Sequence, residues 1–205
     1  MKTVIQIVLG IAIILLGYLL YESIMTPIRF NKEQQLRYDR TIERLKDIRV
    51  AQNAYKSEYG EYTGSFDTLI NFLRTDSFTI EKIIGDYDMD EMTQEQAIEQ
   101  GIVEEKITKI PVLDSLFKHS YPVERLRYVP FTDNATFEMD AGQVETGSGL
   151  TVKVFEAKVH NDVLLHGMNR QLVVNFNDER ETISGYPGLK VGSLTEANNN
   201  AGNWE

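Results

Sequence analysis

The sequence predicts an α+β protein in which a transmembrane helix and a helical stalk precede a mainly antiparallel β head. Three observations lead to this fold class: an apolar run near the N-terminus, a helical spacing of apolar residues after it, and alternating strand-like segments in the second half. We therefore expect a membrane anchor at residues 1–26, a stalk at residues 27–60 and a head at residues 61–205.

The anchor is the apolar run at residues 4–21, in which Gln6 is the one strongly polar residue. At about 1.5 Å per residue the run is about 27 Å long, close to the ~30 Å hydrocarbon thickness of a bilayer. A cleaved signal peptide has a shorter apolar stretch and a small-residue cleavage site, whereas this run ends in bulky side chains. We therefore expect an uncleaved membrane-spanning helix.

One face of this helix combines Gln6, Gly10, Ile13 and Gly17, at spacings of four, three and four residues. Small and polar side chains on one face favour packing against another transmembrane helix, so we expect integral membrane protein partners here. The alternative is that Gln6 reaches the membrane interface and the glycines have no partner.

Arg29 and Lys32 follow the span and, by the positive-inside rule, favour a cytoplasmic head. However, very few residues precede the span, the cations alternate with acids, and large domains are translocated largely regardless of charge. We expect an inner-membrane protein with its N-terminus in the cytoplasm and its head in the periplasm. Arg29 and Lys32 are then candidates for contact with lipid headgroups.

Pro27 lies just beyond the span and should bend or restart the helix. The stalk after it places aromatic and apolar residues on one stripe, which favours packing on the chain's own domain over a free coiled coil. Gly60 should end this helix. The stripe consists of Tyr38, Ile42, Leu45, Ile48, Gln52, Tyr55 and Tyr59.

Residues 45–73 read LKDIRVAQNAYKSEYGEYTGSFDTLINFL, with an Ile-Arg-x-Ala-Gln-x-x-Tyr helix, a Tyr-Gly-x-Tyr turn and a short Leu-rich helix. This segment resembles the region of type II secretion pseudopilins in which the N-terminal helix leaves the membrane and meets the globular head. The resemblance implies the same geometry here. Pseudopilins also carry a basic leader cut before Phe and a Glu early in the mature helix. Neither feature is found between Met1 and Gln6, so we expect no prepilin processing.

The first half of the head is expected to mix short helices and strands. Ser65 should cap a short helix, and a strand follows at residues 78–84. Thr93 and Gln96 form a capping box that opens a brief helix. An alternating strand at residues 102–112 and a helical turn at residues 112–117 complete this half.

The second half is expected to be rich in strands. Asn161-Asp162 predicts a hairpin turn, Gly147-Ser148-Gly149 a flexible link, and residues 177–179 the end of the last clear strand before the tail. The expected strands are residues 126–131, 135–139, 150–159, 163–167, 172–176 and 189–194.

Composition restricts the classes of function. A net charge of −10 and a pI near 4.9 disfavour nucleic acid partners, because phosphates are repelled. The absence of cysteine excludes disulfides, zinc–thiolate sites and thiol catalysis. The histidines match no metal-binding spacing, and no nucleophile elbow, phosphate loop or dinucleotide fingerprint is present. We therefore expect no enzyme, no catalytic residue, no metal and no cofactor.

Two polar segments are candidates for binding extracytoplasmic protein partners. Asp86, Asp88 and Asp90 lie in an acidic stretch and mimic the start of a calcium loop, but Glu91 replaces the glycine that such a loop needs. A solvated acidic loop that attracts a basic partner is the preferred interpretation. Trp204, in the Asn-rich tail, either docks on the chain itself or meets a partner.

These features together predict a noncatalytic, inner-membrane-anchored periplasmic subunit of a multiprotein envelope complex. The ending GLKVGSLTEANNNAGNWE also resembles single-pass envelope proteins of Bacteroidota. That resemblance makes an accessory of a TonB-type, proton-driven energy-transducing motor the leading specific hypothesis. A pseudopilin-like subunit of a secretion or pilus apparatus comes second, and a membrane-anchored glycan-binding or hydrolytic domain third.

Overall fold

The protein has an α+β fold with antiparallel sheets of two and three strands. The computed structural model describes residues 2–84, 104–118 and 120–205. The chain forms two compact units. The first contains Met1–Arg49 and Arg127–Glu205, and the second contains Val50–Leu126. The predicted fold class is confirmed.

The longest element is helix α1, Lys2–Tyr59, which continues without interruption through Pro27. The predicted restart at Pro27 is therefore wrong. Proline removes one backbone N–H from the helical ladder, and a long helix tolerates this loss where water or hydroxyl side chains reach the freed carbonyl. The predicted end is confirmed, because Gly60 has φ +75° and its N–H donates to the Lys56 carbonyl.

The predicted stripe on α1 faces the protein over most of its length. Tyr38, Leu45, Ile48 and Gln52 are buried, and Ile42 and Tyr55 are half-buried. Tyr59, at the end of the helix, is exposed. A helix with one buried stripe is packed on its own domain, as the sequence indicates.

The second unit contains helix α2, Phe66–Thr75, whose cap is the predicted Ser65. Strands β1, Ser77–Ile84, and β2, Glu104–Pro111, pair in antiparallel fashion and confirm both predicted strands. Helix α3, Val112–Leu116, follows β2 at once, and a 3-10 helix at Val123–Arg127 comes after it. The capping box at Thr93 and Gln96 lies outside the described residues.

The first unit contains a three-stranded antiparallel sheet in the order β3-β4-β5. These strands are β3, Glu138–Glu145, β4, Thr151–His160, and β5, Gly188–Gly192. The glycine-containing link at residues 147–149 is the tight turn of the β3–β4 hairpin. Gly192 has φ +74°, and a Cβ there would meet the carbonyl of Phe155 on β4, so glycine is required.

Two helices, α4 and α5, connect β4 to β5. They are α4, Asn161–Leu164, and α5, Arg170–Ser184. The predicted strands at 163–167 and 172–176 and the hairpin turn at Asn161-Asp162 are wrong, and residues 177–179 lie inside α5. The physical reason is capping. His160 accepts the Asp162 N–H, and Asn169 accepts the Leu172 N–H, so two helices begin in this segment.

The segment before β3 also differs from the sequence prediction. Residues 126–131 are not a strand, because the 3-10 helix extends to Arg127 and the chain then turns through Phe131 and Asn134, which have φ +62°. A single bridge joins Tyr128 to Thr136, and β3 begins at Glu138, so the strand predicted at 135–139 starts three residues early. The turn depends on the positive φ values of Phe131 and Asn134, which the pattern of apolar residues does not predict.

Replacing Tyr38 with Phe should lower the free energy of unfolding by about 1–3 kcal/mol. The buried Tyr38 hydroxyl donates to Asn161 Oδ1 at 2.6 Å, and Asn161 is itself fully buried, so the variant leaves a buried acceptor without its donor. Chemical denaturation of the full chain in detergent measures this change. Tyr128→Phe, at an exposed tyrosine, is the matched control and should change stability little. Equal stability of Y38F and the parent would contradict the assigned role of this bond.

Candidate functional site

The first candidate site is the apolar span at residues 4–21. α1 is long and apolar enough to cross a membrane, which is compatible with a single-pass anchor. Its side chains are largely exposed, from Val4 at 63% to Tyr21 at 53%. An exposed apolar surface of this length is stable in a bilayer and unfavourable in water.

The predicted packing face lies within this exposed surface. Gln6, Gly10, Ile13 and Gly17 are all exposed, and a Cβ built at either glycine would meet no atom within 4 Å beyond the adjoining helix backbone and chain neighbours. The face is therefore open to a partner helix. Packing of a membrane protein on this face stays a prediction.

Polar side chains follow the span within about two turns. The Arg29 guanidinium lies 3.4 Å from the Glu22 carboxylate, and the Thr26 hydroxyl donates to the same carboxylate at 3.2 Å. Both charged side chains are partly exposed. This cluster marks the level at which α1 leaves the apolar run.

Arg37 joins α1 to the turn between α4 and α5. Its guanidinium donates to the carbonyls of Leu164 at 3.0 Å and His166 at 3.1 Å, and to the Glu33 carboxylate at 2.9 Å. The Arg37 side chain is only 15% exposed, although its bond to the His166 carbonyl lies at the surface. A cation on the last carbonyls of a helix is favourable because those carbonyls lack partners within the helix.

Aromatic side chains hold α1 against α5 beside this arginine. The Phe176 ring makes edge contacts with Phe30 and Tyr38, with centroids 6.4 Å and 5.6 Å apart. Burial raises the pKa of Tyr38 to about 12, so its hydroxyl stays neutral and keeps donating to Asn161 at physiological pH. Hydrogen bonds and ring contacts together fix this part of α1 to the head.

A second candidate site is the surface around Phe131. This side chain is 51% exposed although its backbone has φ +62°, a conformation that costs a bulky residue about 1–3 kcal/mol. Phe131 borders a hollow of about 500 Å³ that is also lined by Asp133, Val163 and His166. An exposed aromatic ring next to apolar and acidic groups is typical of surfaces that bind protein partners or sugars.

The tail is docked on the first unit. Gly202 forms a bridge with Val191 on β5, and the Asn203 N–H donates to the Lys190 carbonyl at 3.0 Å. The Arg49 guanidinium bonds the Glu205 carboxylate at 2.7 Å, which lowers the pKa of that carboxyl group. Trp204 is half-buried, and its indole nitrogen is buried without a hydrogen-bond partner in the described part of the chain. Docking on the chain is therefore observed, and partner binding by Trp204 stays a prediction.

The remaining candidate residues are the acidic stretch and the histidines. Asp86, Asp88 and Asp90 lie outside the described residues. His160 caps α4 and makes an edge contact with Tyr186, and His166 is exposed beside the Phe131 hollow. Within residues 2–84, 104–118 and 120–205, no three His, Asp or Glu side chains are grouped closely enough to hold a metal ion.

Sequence reasoning missed Arg37 and Phe131. Arg37 is next to Tyr38 of the predicted stripe, but the carbonyls that it binds are far away in sequence, so its role had no local signal. For Phe131 the only signal was the Pro130-Phe131-Thr132-Asp133-Asn134 run, whose polar end is typical of a turn.

Comparison with known proteins provides no relative. No protein-family model matches the sequence, and neither the curated proteins nor the solved structures contain a match.

Replacing Arg49 with Gln should loosen the tail and expose Trp204, because the variant loses the bonds to Glu205 and to the Asn200 carbonyl. Trp204 is the only tryptophan of the chain, so its fluorescence reports on the tail alone. We expect a red-shifted emission and stronger acrylamide quenching. Arg40→Gln, which removes the exposed pair with Glu43, is the control and should leave both unchanged. Identical spectra for R49Q and the parent would contradict the tethering role of Arg49.

Proposed function

We propose that this protein is a noncatalytic subunit of a multiprotein envelope complex, anchored in the inner membrane with its head in the periplasm. One observation carries the proposal: a single unbroken helix contains both the exposed apolar span and the residues that are fixed to the head. Such a helix serves to hold a head in a set orientation to membrane partners.

Helix α1 couples the apolar span mechanically to the head. From Leu20 to Arg37 it rises about 25 Å at about 1.5 Å per residue. Arg37, Tyr38 and Phe30 join it to α4 and α5 by hydrogen bonds and ring contacts. A tilt or rotation of the span is therefore transmitted to the head with little loss, because a helix is stiff over this length.

The leading specific version is an accessory of a TonB-type, proton-driven motor. In this version the face formed by Gln6, Gly10, Ile13 and Gly17 packs on a helix of a proton-channel subunit. The openness of this face supports the version, since two glycines without neighbours allow close approach of another helix. The surface around Phe131 and the half-buried Trp204 are the candidate contacts for periplasmic partners.

The second version is a pseudopilin-like subunit. It is favoured by the layout of α1, whose first part is exposed and apolar while its later part is buried on a head that contains an antiparallel sheet. This layout agrees with the geometry implied by the resemblance at residues 45–73. In this version the span packs on other copies of the same chain within a fibre.

Purification of the full chain in mild detergent, with mass spectrometry of its partners and of its intact N-terminus, tests the proposal. We expect polytopic channel subunits to copurify with a chain that is not trimmed. A trimmed N-terminus with secretion or pilus subunits would favour the pseudopilin-like version. A chain that purifies alone, without partners, would contradict both versions and favour an anchored glycan-binding or hydrolytic domain.

The packing face provides a matched pair of variants for the same experiment. Gly10→Leu with Gly17→Leu should abolish copurification, because two bulky side chains prevent close helix contact. Ala12→Leu adds bulk away from this face, about 130° around the helix, and should leave the partners bound.

A further inference from the structure

A second stripe of side chains runs along α1, beside the stripe that is buried on the head. Its members recur at spacings of three or four residues, and all of them are exposed. At about 100° per residue they lie within about 40° of one line along the helix. They are Gln6, Gly10, Ile13, Gly17, Leu20, Ile24, Ile28, Asn31 and Gln35, and we call them the uncharged stripe.

The uncharged stripe extends well beyond the apolar run. Gln35 lies about 21 Å beyond Tyr21 along the helix axis, at about 1.5 Å per residue. Ile24 and Ile28, in this outer part, are 54% and 52% exposed. The stripe ends where Tyr38 is buried on the head. A long helix face that is partly apolar and that its own domain leaves uncovered is suited to packing against another helix.

Charged side chains lie away from this stripe. The charged residues of α1 between positions 3 and 35 are Glu22, Arg29, Lys32 and Glu33. All four are about 80° or more around the helix from Ile24. Two of them, Glu22 and Arg29, pair with each other. The stripe therefore presents amides, glycines and aliphatic side chains, and it has no charge that would select a partner of opposite charge.

The length of the stripe restricts the kind of helix that fits it. A partner must leave the membrane as a helix and continue for about 20 Å, because α1 itself continues through Pro27. A second copy of this chain, inserted in the same direction, does so with the same residues at the same depth. The head leaves the stripe open, because Phe30, which packs on α5, lies about 120° around the helix from Ile24.

The stripe is also chemically complementary to itself. When two identical helices pack in parallel about a two-fold axis, each residue on the axis side meets its own copy. The amides of Gln6 and Asn31 each contain a donor and an acceptor, so two copies of either amide can hydrogen-bond to each other. Gly10 and Gly17 allow close approach of the two backbones. No like charges are brought together along the contact.

We propose that two copies of this chain pair in parallel along the uncharged stripe, within the membrane and for about 20 Å beyond it. The inference rests on the proposed insertion of α1 in a membrane, and it names a second copy as the molecule that covers the predicted packing face. A channel subunit of the motor-accessory version then contacts the sides of the two spans that the pair leaves open.

Disulfide cross-linking of the full chain in isolated membranes tests this pairing. The chain has no cysteine, so Ile28→Cys introduces a single thiol, and mild oxidation joins two copies only where their Cα atoms lie within about 7 Å. Arg29→Cys, one residue further along but about 100° around the helix, is the matched control. We expect at least about fivefold more linked dimer from I28C than from R29C. Equal linkage in the two variants, or linkage of I28C to a different protein, would overturn the proposal.

A charge exchange at the same position distinguishes self-pairing from a loss of folding. Ile28→Lys and Ile28→Glu each place like charges against each other in a parallel pair, so neither variant should copurify with a differently tagged copy of itself. The two variants produced together should copurify in mild detergent. Unchanged Trp204 emission in each variant would show that the head stays folded. Copurification of either variant with itself, or failure of the mixed pair to form, would contradict the pairing.

The location of the chain separates failure of the pairing from failure of the anchor. A chain that is found in the membrane fraction only as a monomer would overturn the pairing alone. A chain that is absent from the membrane fraction would refute the membrane anchor and, with it, the pairing.

Discussion

The attachment of α1 to the α4–α5 region is the constraint on which the rest of the structure depends. Tyr38 donates to a buried asparagine at the start of α4, and Arg37, one residue earlier, binds the carbonyls that follow α4. Because adjacent residues of one helix bind both ends of a four-residue helix, the position of α4 is fixed relative to the span. The direction of α5 follows, since Phe176 of α5 packs on the same part of α1.

This attachment helps to explain why Pro27 leaves the helix intact. The apolar run at residues 4–21, before Pro27, would be helical in a bilayer because unpaired backbone groups are costly there. Residues after it are fixed by the contacts of Phe30, Arg37 and Tyr38. Helical structure is thus favoured on both sides of Pro27. The free energy lost with one backbone hydrogen bond is small compared with the free energy gained from these contacts.

The sequence predicted the elements whose signals are local. The Ser65 cap, the glycine that ends α1, and strands β1, β2, β4 and β5 all follow from neighbouring residues. Residues 163–167 and 172–176 were misread as strands because short apolar runs fit either structure, and the decisive groups are the caps at His160 and Asn169. The hydrogen bonds of Arg37 join it to carbonyls that are far away in sequence, so no local pattern predicts them. The spacing of Gln6 and Gly17 predicts the exposed face that they share. The identity of a partner for this face cannot be predicted from this sequence, because it depends on another molecule.

One continuous helix, α1, contains both the span and the residues that are fixed to the head. The chain has no cysteine, so spin labels attach only at cysteines that are introduced. Ile14→Cys and Lys32→Cys provide two exposed positions on one face of α1, one on each side of Pro27. Double electron–electron resonance in nanodiscs should give one narrow distance distribution centred at about 27 Å, the rise of five helical turns. The pair Ile28→Cys and Lys46→Cys has the same spacing beyond the proline and should give the same width. A broad distribution, or one centred at a clearly shorter distance, for the Ile14–Lys32 pair but not for the Ile28–Lys46 pair would contradict a rigid connection between the span and the head.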